Sequence, residues 1–230
     1  MGVEIQRYLL PIDRSWRPDQ QTLSRLVERL AAERWIPLEP WNESVRTPTG
    51  VYPLDQPLAH SLGRWSDGDF LLSWGVEACG HCNVRFPLVR APGAAEEAYF
   101  ELRVTWSTDH AYRTSEAVEP FADELLACSC GQGLEYWPEY DDPIRAARIR
   151  SNCPRCGRAI DVSGWPAKVI DGWTNKGRIV PGGATSRFAV VADVGKCWPN
   201  SPEERCVHPD LVACCSSALG VRFLEIEDLA

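Results

Sequence analysis

Long apolar runs, an excess of basic charge and the familiar catalytic signatures are what this sequence lacks. A membrane-spanning helix needs about 20 consecutive apolar residues, and the stretch from Phe188 to Val194 is already broken by Asp193. The opening residues, Met1 to Leu10, carry neither the basic nor the apolar region of a secretory signal, and Gln6 stands where a myristoylation motif needs Ser or Thr. A cytoplasmic protein is therefore expected. Lys and Arg number 24 against 32 Asp and Glu, a net charge of −8. That sign argues against broad electrostatic attachment to nucleic acid or to an anionic membrane. No Gly-x-Ser-x-Gly elbow, Walker loop or His-Glu-x-x-His motif is present, and Pro181-Gly182-Gly183 lacks the lysine of a phosphate cradle. Histidine is scarce, at four; Asp109-His110 is the best acid–base candidate and a poor one, while His208 reads as a helix-start residue.

What is plentiful is cysteine and tryptophan, ten of each. At 230 residues the chain can bury a core without covalent staples. In a reducing compartment its thiols then read as metal ligands, catalytic groups or small core residues rather than as disulfides. Most of the Trp are expected in the core, each needing a partner for its indole N–H.

Hydrophobic spacing sets out the elements. Ile5 to Leu10 reads as a strand, and after Pro18-Asp19 the residues Leu23, Leu26, Val27 and Leu30 mark one face of an amphipathic helix. Trp35 to Leu38 reads as extended, and the Pro- and Gly-rich stretch from Glu39 to Gly68 as mostly loop. Phe70 to Val76, Val84 to Val89 and Tyr99 to Trp106 are candidate strands; in the last, Phe100, Leu102, Val104 and Trp106 alternate with Glu101, Arg103 and Thr105, which predicts one apolar and one wet face. Thr114 to Leu126 reads as a helix, Arg187 to Val194 as a buried strand, His208-Pro209-Asp210 as the start of a last helix capped by Gly220, and Val221 to Ile226 as a final strand.

Two close cysteine pairs carry the clearest chemistry, Cys128-Ser-Cys130-Gly and Cys153-Pro-Arg-Cys156-Gly. A structural zinc wants four soft ligands in a tetrahedron, and each short turn can aim two sulfurs at one ion while the following Gly accepts the positive φ of the turn. The segment from about Ala127 to Val162 resembles the zinc-ribbon group of domains, with rubredoxin-like knuckles. That resemblance implies one zinc held by Cys128, Cys130, Cys153 and Cys156, although Cys128-x-Cys130 is one residue shorter than the usual pair. The 22 residues between the pairs leave room for a hairpin or a short helix such as Ile144 to Arg150. Arg145, Arg148, Arg150, Arg155 and Arg158, near Trp137 and Tyr140, interleave base with aromatic as a nucleic-acid surface does. Glu135, Glu139, Asp141 and Asp142 nearly cancel that charge.

A second pair, Cys79-Gly-His-Cys82, resembles the redox motif of protein disulfide isomerases, in which a helix N-terminus activates the first thiol. Pro87 and the extended character of Asn83 to Arg90 depart from that context. A second metal site, drawing on His81, His110, Cys197 or Cys206, and a pair of ordinary thiols are the competing readings.

The expectation is an α+β chain, with a mixed or antiparallel sheet and two to four helices. Its body comprises residues 1–126 and 163–230, interrupted by a zinc ribbon over 127–162. The first functional expectation is a non-enzymatic protein-binding protein, of the immunity or antitoxin kind, with a basic partner. The alternatives are a thiol-disulfide oxidoreductase using Cys79 and Cys82, and a nucleic-acid-contacting ribbon using Arg145, Arg148, Arg150, Trp137 and Tyr140.

Overall fold

The computed structural model describes residues 3–36, 44–47, 50–53, 70–77, 84–90, 99–112, 128–133, 148–149, 152–160, 166–170, 177–181, 185–197 and 206–229. Its strands are β1 (Val3–Pro11), β2 (Ser44–Thr47), β3 (Gly50–Pro53), β4 (Phe70–Glu77), β5 (Tyr99–Tyr112), β6 (Arg148–Ile149), β7 (Pro166–Ile170), β8 (Gly177–Pro181), β9 (Thr185–Cys197) and β10 (Phe223–Leu229). Two helices stand among the described residues, α1 (Gln20–Ala32) and α2 (Pro209–Leu219). The class is α+β, and every described strand pair is antiparallel. One sheet runs β10-β1-β9-β5-β4-β2-β3, with β6 pairing β5, while β7 and β8 form a separate hairpin.

The sheet joins the two ends of the chain. β1 lies between β10 and β9, with Tyr8 opposite both Ile226 and Val191. Along β1 the period-2 pattern sends Ile5 and Leu9 to the face that α1 and α2 cover, where they meet Leu102, Val104, Phe188, Val190 and Val194 in one apolar core. Trp35 and Trp74 are buried there, Trp106 nearly so, and Trp16 packs edge-on against Phe188 with ring centroids 5.2 Å apart.

α1 starts where Asp19 accepts a hydrogen bond from the Thr22 N–H at 2.7 Å, and it buries the expected Leu23, Leu26, Val27 and Leu30. Each of those side chains contributes roughly 1.5–3 kcal/mol relative to exposure. Its end corrects the extended path expected from Trp35. The Trp35 N–H donates to Leu30 O at 2.8 Å and the Arg34 N–H to Ala31 O at 3.0 Å, a Schellman closure in which Arg34 takes a left-handed φ of 63°. A non-glycine residue there costs about 1–2 kcal/mol, offset by the burial of Trp35 and Ile36 that the turn allows.

α2 begins at His208, whose Nδ1 accepts from the Asp210 N–H at 3.2 Å, and ends at Gly220 with φ 71°. Cys214 and Cys215 are both buried in it. Both belong to the apolar core, and that burial pushes the Cys214 thiol up to about 12 and the Cys215 thiol well above its ordinary value.

The expected strand at Val84 to Val89 forms only a single bridge, Leu88 to Val207. Pro87 has no N–H to give a ladder; the segment is pinned instead by Arg85, whose guanidinium lies 4.0 Å over Trp35 and pairs with Asp210. Arg148 and Ile149, within the stretch offered for a short helix, are a strand paired with His110 and Ala111. The wet face expected of β5 is also corrected. Arg103 and Thr105 are 9 % and 8 % exposed while Glu101 stays partly exposed, so the second face of β5 is largely covered at those two positions. The helix expected at Thr114 to Leu126 lies outside the described residues.

Candidate metal centre

Each cysteine pair folds into a tight turn that its own backbone closes. In the second, the Cys153 N–H donates to Arg158 O and the Gly157 N–H to Cys153 O, both at 2.9 Å. In the first, the Cys128 N–H donates to Gln132 O and the Gly131 N–H to Cys128 O, both at 2.8 Å. The two bonds are the same pair shortened by one residue. A Cys-x-Cys knuckle is thus reached by tightening the turn and not by losing a ligand. Gly131 and Gly157 take φ values of 79° and 68°, the left-handed region that lets the chain turn back after the last sulfur. A bridge between Asn152 and Ala159 closes a hairpin around Cys153 and Cys156.

The four sulfurs of Cys128, Cys130, Cys153 and Cys156 lie within 4.8 Å of one another. Two contacts cross between the knuckles, Cys128 to Cys156 at 3.6 Å and Cys130 to Cys153 at 3.7 Å. A disulfide needs about 2.05 Å. A zinc tetrahedron with bonds of about 2.3 Å has edges of about 3.8 Å between sulfurs, close to the two contacts that cross between the knuckles. The donor set and its spacing therefore fit a structural zinc, with all four positions supplied by protein.

Electrostatics lead to the same chemistry. The Cys130 N–H directed at the Cys128 sulfur holds that thiol down to about 6, and the Cys156 N–H lowers Cys153. The Arg158 N–H favours the Cys156 thiolate, yet desolvation and the neighbouring sulfurs outweigh it and push that thiol up to about 11. Sulfurs this close resist shared ionisation until a cation sits among them.

Arg155 and Arg158, read from sequence as part of a basic surface, staple knuckle to knuckle. Arg158 Nη1 donates to the Ser129 hydroxyl at 2.5 Å, and Arg155 Nη1 reaches Cys130 O at 3.5 Å. Sequence reasoning had no ground for Ser129 as a partner; the signal was an arginine directly after the Cys-Gly of one knuckle and a hydroxyl inside the other. Arg148 lies on β6, while Arg145, Arg150, Trp137 and Tyr140 lie outside the described residues.

Cys79, Cys82 and His81 also lie outside them, between β4 and residue 84. Among the companions considered for that pair, Cys197 closes β9 and Cys206 is exposed just ahead of α2. Tyr99 pairs with Glu77, which is two residues before Cys79, whereas His110 lies toward the other end of β5. At about 3.3 Å per residue His110 is roughly 35 Å along β5 from Tyr99.

Gly157→Ala tests the knuckle geometry. No atom lies within 4 Å of the added Cβ, so the cost is left-handed strain alone. That strain, about 1–2 kcal/mol, is expected to weaken zinc retention roughly 5- to 30-fold in competition with a chromogenic chelator; unchanged retention would show that the turn does not constrain the site. None of the described helices is long and apolar enough to cross a membrane. The chain matches no family model, no curated protein and no solved structure.

Proposed function

We propose that this chain is a non-enzymatic interaction protein whose two knuckles are braced by one structural zinc. Its partner is another protein with a basic surface, in the manner of an immunity protein or antitoxin that neutralises a basic toxin. The observation that carries the zinc is the approach of four thiols to within 4.8 Å. The net charge of −8 supports the sign of the partner, since complementary potentials steer encounter and suppress wrong partners. The same net charge argues against a nucleic-acid partner, which carries the same sign.

The test has two parts. Elemental analysis of the purified chain is expected to return one zinc per molecule, and none would remove the metal. The immobilised, zinc-loaded chain, presented with a native lysate after nuclease treatment and thiol blocking, is expected to retain one protein in stoichiometric amount. Raising the salt should release it, because the screening length falls from about 10 Å at 0.1 M to about 3 Å at 1 M. Binding indifferent to salt would sink the electrostatic part, and retention of nucleic acid alone in the untreated control would overturn the reading.

A further inference from the structure

We propose that the knuckle cluster is also a site of covalent modification, at which a two-electron oxidant such as hydrogen peroxide joins Cys128 to Cys156 and releases the metal. The release rests on the zinc reading above; the pairing stands on the sulfurs alone. Oxidation of a Cys-x-x-Cys motif ordinarily links its own two thiols, here Cys153 and Cys156. Access argues for a different partner. Cys156 is exposed, Cys128 and Cys130 are both half-buried, and Cys153 is buried at 2 % exposure, so access sets aside only Cys153 and proximity chooses between the other two. The Cys128 sulfur already lies 3.6 Å from that of Cys156, so joining them requires a closure of about 1.5 Å, within reach of side-chain rotation.

The chemistry balances with the oxidant named. In the zinc-loaded protein Cys156 would be deprotonated as a ligand; its thiolate attacks one peroxide oxygen, the O–O bond breaks, and hydroxide leaves a sulfenic acid on Cys156. The Cys128 thiolate then attacks that sulfur; the S–S bond forms, the S–O bond breaks, and a second hydroxide departs. Two thiolates have lost two electrons, peroxide has gained them, and two solvent protons turn both hydroxides into water. Cys130 and Cys153 alone cannot complete a four-thiolate site, so the ion leaves. The disulfide spans 28 residues and keeps the two knuckles tied after the metal has gone.

The spacing of arginines makes the pairing readable. Trypsin leaves Cys128 and Cys130 on residues 114–145, Cys153 on 151–155 and Cys156 on 156–158. The full-length zinc-loaded protein is treated with one equivalent of peroxide, alkylated, digested without reductant and mapped by mass spectrometry, with released zinc followed by an indicator. The first linkage is expected to join 114–145 to 156–158 in step with loss of one zinc per chain. It should persist in Cys130→Ser and vanish in Cys128→Ser. A first linkage between 151–155 and 156–158, or between 151–155 and 114–145, overturns the proposal, as do four thiols that stay alkylatable under excess peroxide. The predicted linkage in a protein that never held zinc would uphold the pairing and discard the metal centre instead.

Discussion

Stripping the metal with a chelator is expected to open the knuckles while leaving the sheet and its two helices folded. Among the described residues the knuckles have little else to hold them. Their backbone bonds are local, and the described contacts between them are the two sulfur pairs and the reach of Arg155 and Arg158 to Cys130 and Ser129. Cys153 and Ile160 are buried, but neither belongs to the core shared by the strands and helices. Structural zinc supplies about 10–16 kcal/mol of apparent binding energy in comparable small sites at neutral pH, far more than a pair of exposed arginine contacts. Trypsin should therefore cut after Arg155 and Arg158 at least about tenfold faster in the metal-free chain, since cleavage tracks the open population. Cys153→Ser should reproduce this with the chelator absent. Emission from buried Trp35 and Trp74 should hardly change, because their neighbours lie in the main core. Equal cleavage rates with and without metal would show that the knuckles stand without an ion, and a collapse of the tryptophan signal would show that the body depends on them.

What could be read from the sequence was local. The spacing of Leu23, Leu26, Val27 and Leu30 gave α1 its buried face, and Pro18-Asp19 gave its cap. The pairing of Cys128 with Cys130 and of Cys153 with Cys156 pointed to a four-sulfur cluster, because two short turns ending in Gly have few other uses. Where the reading failed, distant parts of the chain decide. Alternation in β5 identified which residues share a face, but coverage of the second face is tertiary and leaves no mark on β5 itself. Trp35 reads as the start of an extended segment, yet it becomes the last residue of a helix cap because a buried position is waiting for it. Arg85 to Leu88 has the apolar content of a strand and is held by Trp35, Asp210 and Val207 instead. The partner strands of β1, from residues 185–197 and 223–229, are nearly a whole chain away.

That covered second face carries the other large effect. Asp193, on β9, accepts from Gln6 Nε2 of β1 at 3.0 Å and from Arg103 Nη2 of β5, and Tyr8 in turn donates to Gln6 Oε1 at 2.6 Å. Register sets Asp193 opposite Gln6 on β1, and on β5 opposite Glu101, with Arg103 its diagonal neighbour on the same face and opposite Val191. The Arg103 and Asp193 side chains are 11 % and 18 % exposed, so the carboxylate answers a guanidinium largely removed from water. Asp193→Ala should cost about 3–5 kcal/mol, chiefly the penalty of a buried charge left without its counterion rather than the worth of the bond. Asp193→Asn would keep an acceptor for Gln6 but not the charge, and should fall between. The informative variant is the double change Arg103→Met with Asp193→Leu, which removes both charges and should recover most of the loss. Urea unfolding followed by far-ultraviolet circular dichroism would report these shifts as changes in midpoint at constant slope. A loss below about 1 kcal/mol for Asp193→Ala would mean that water reaches Arg103 in solution. A double variant no better than the single would mean that the network contributes through its geometry across β1, β9 and β5, holding three strands in register, and not through charge balance.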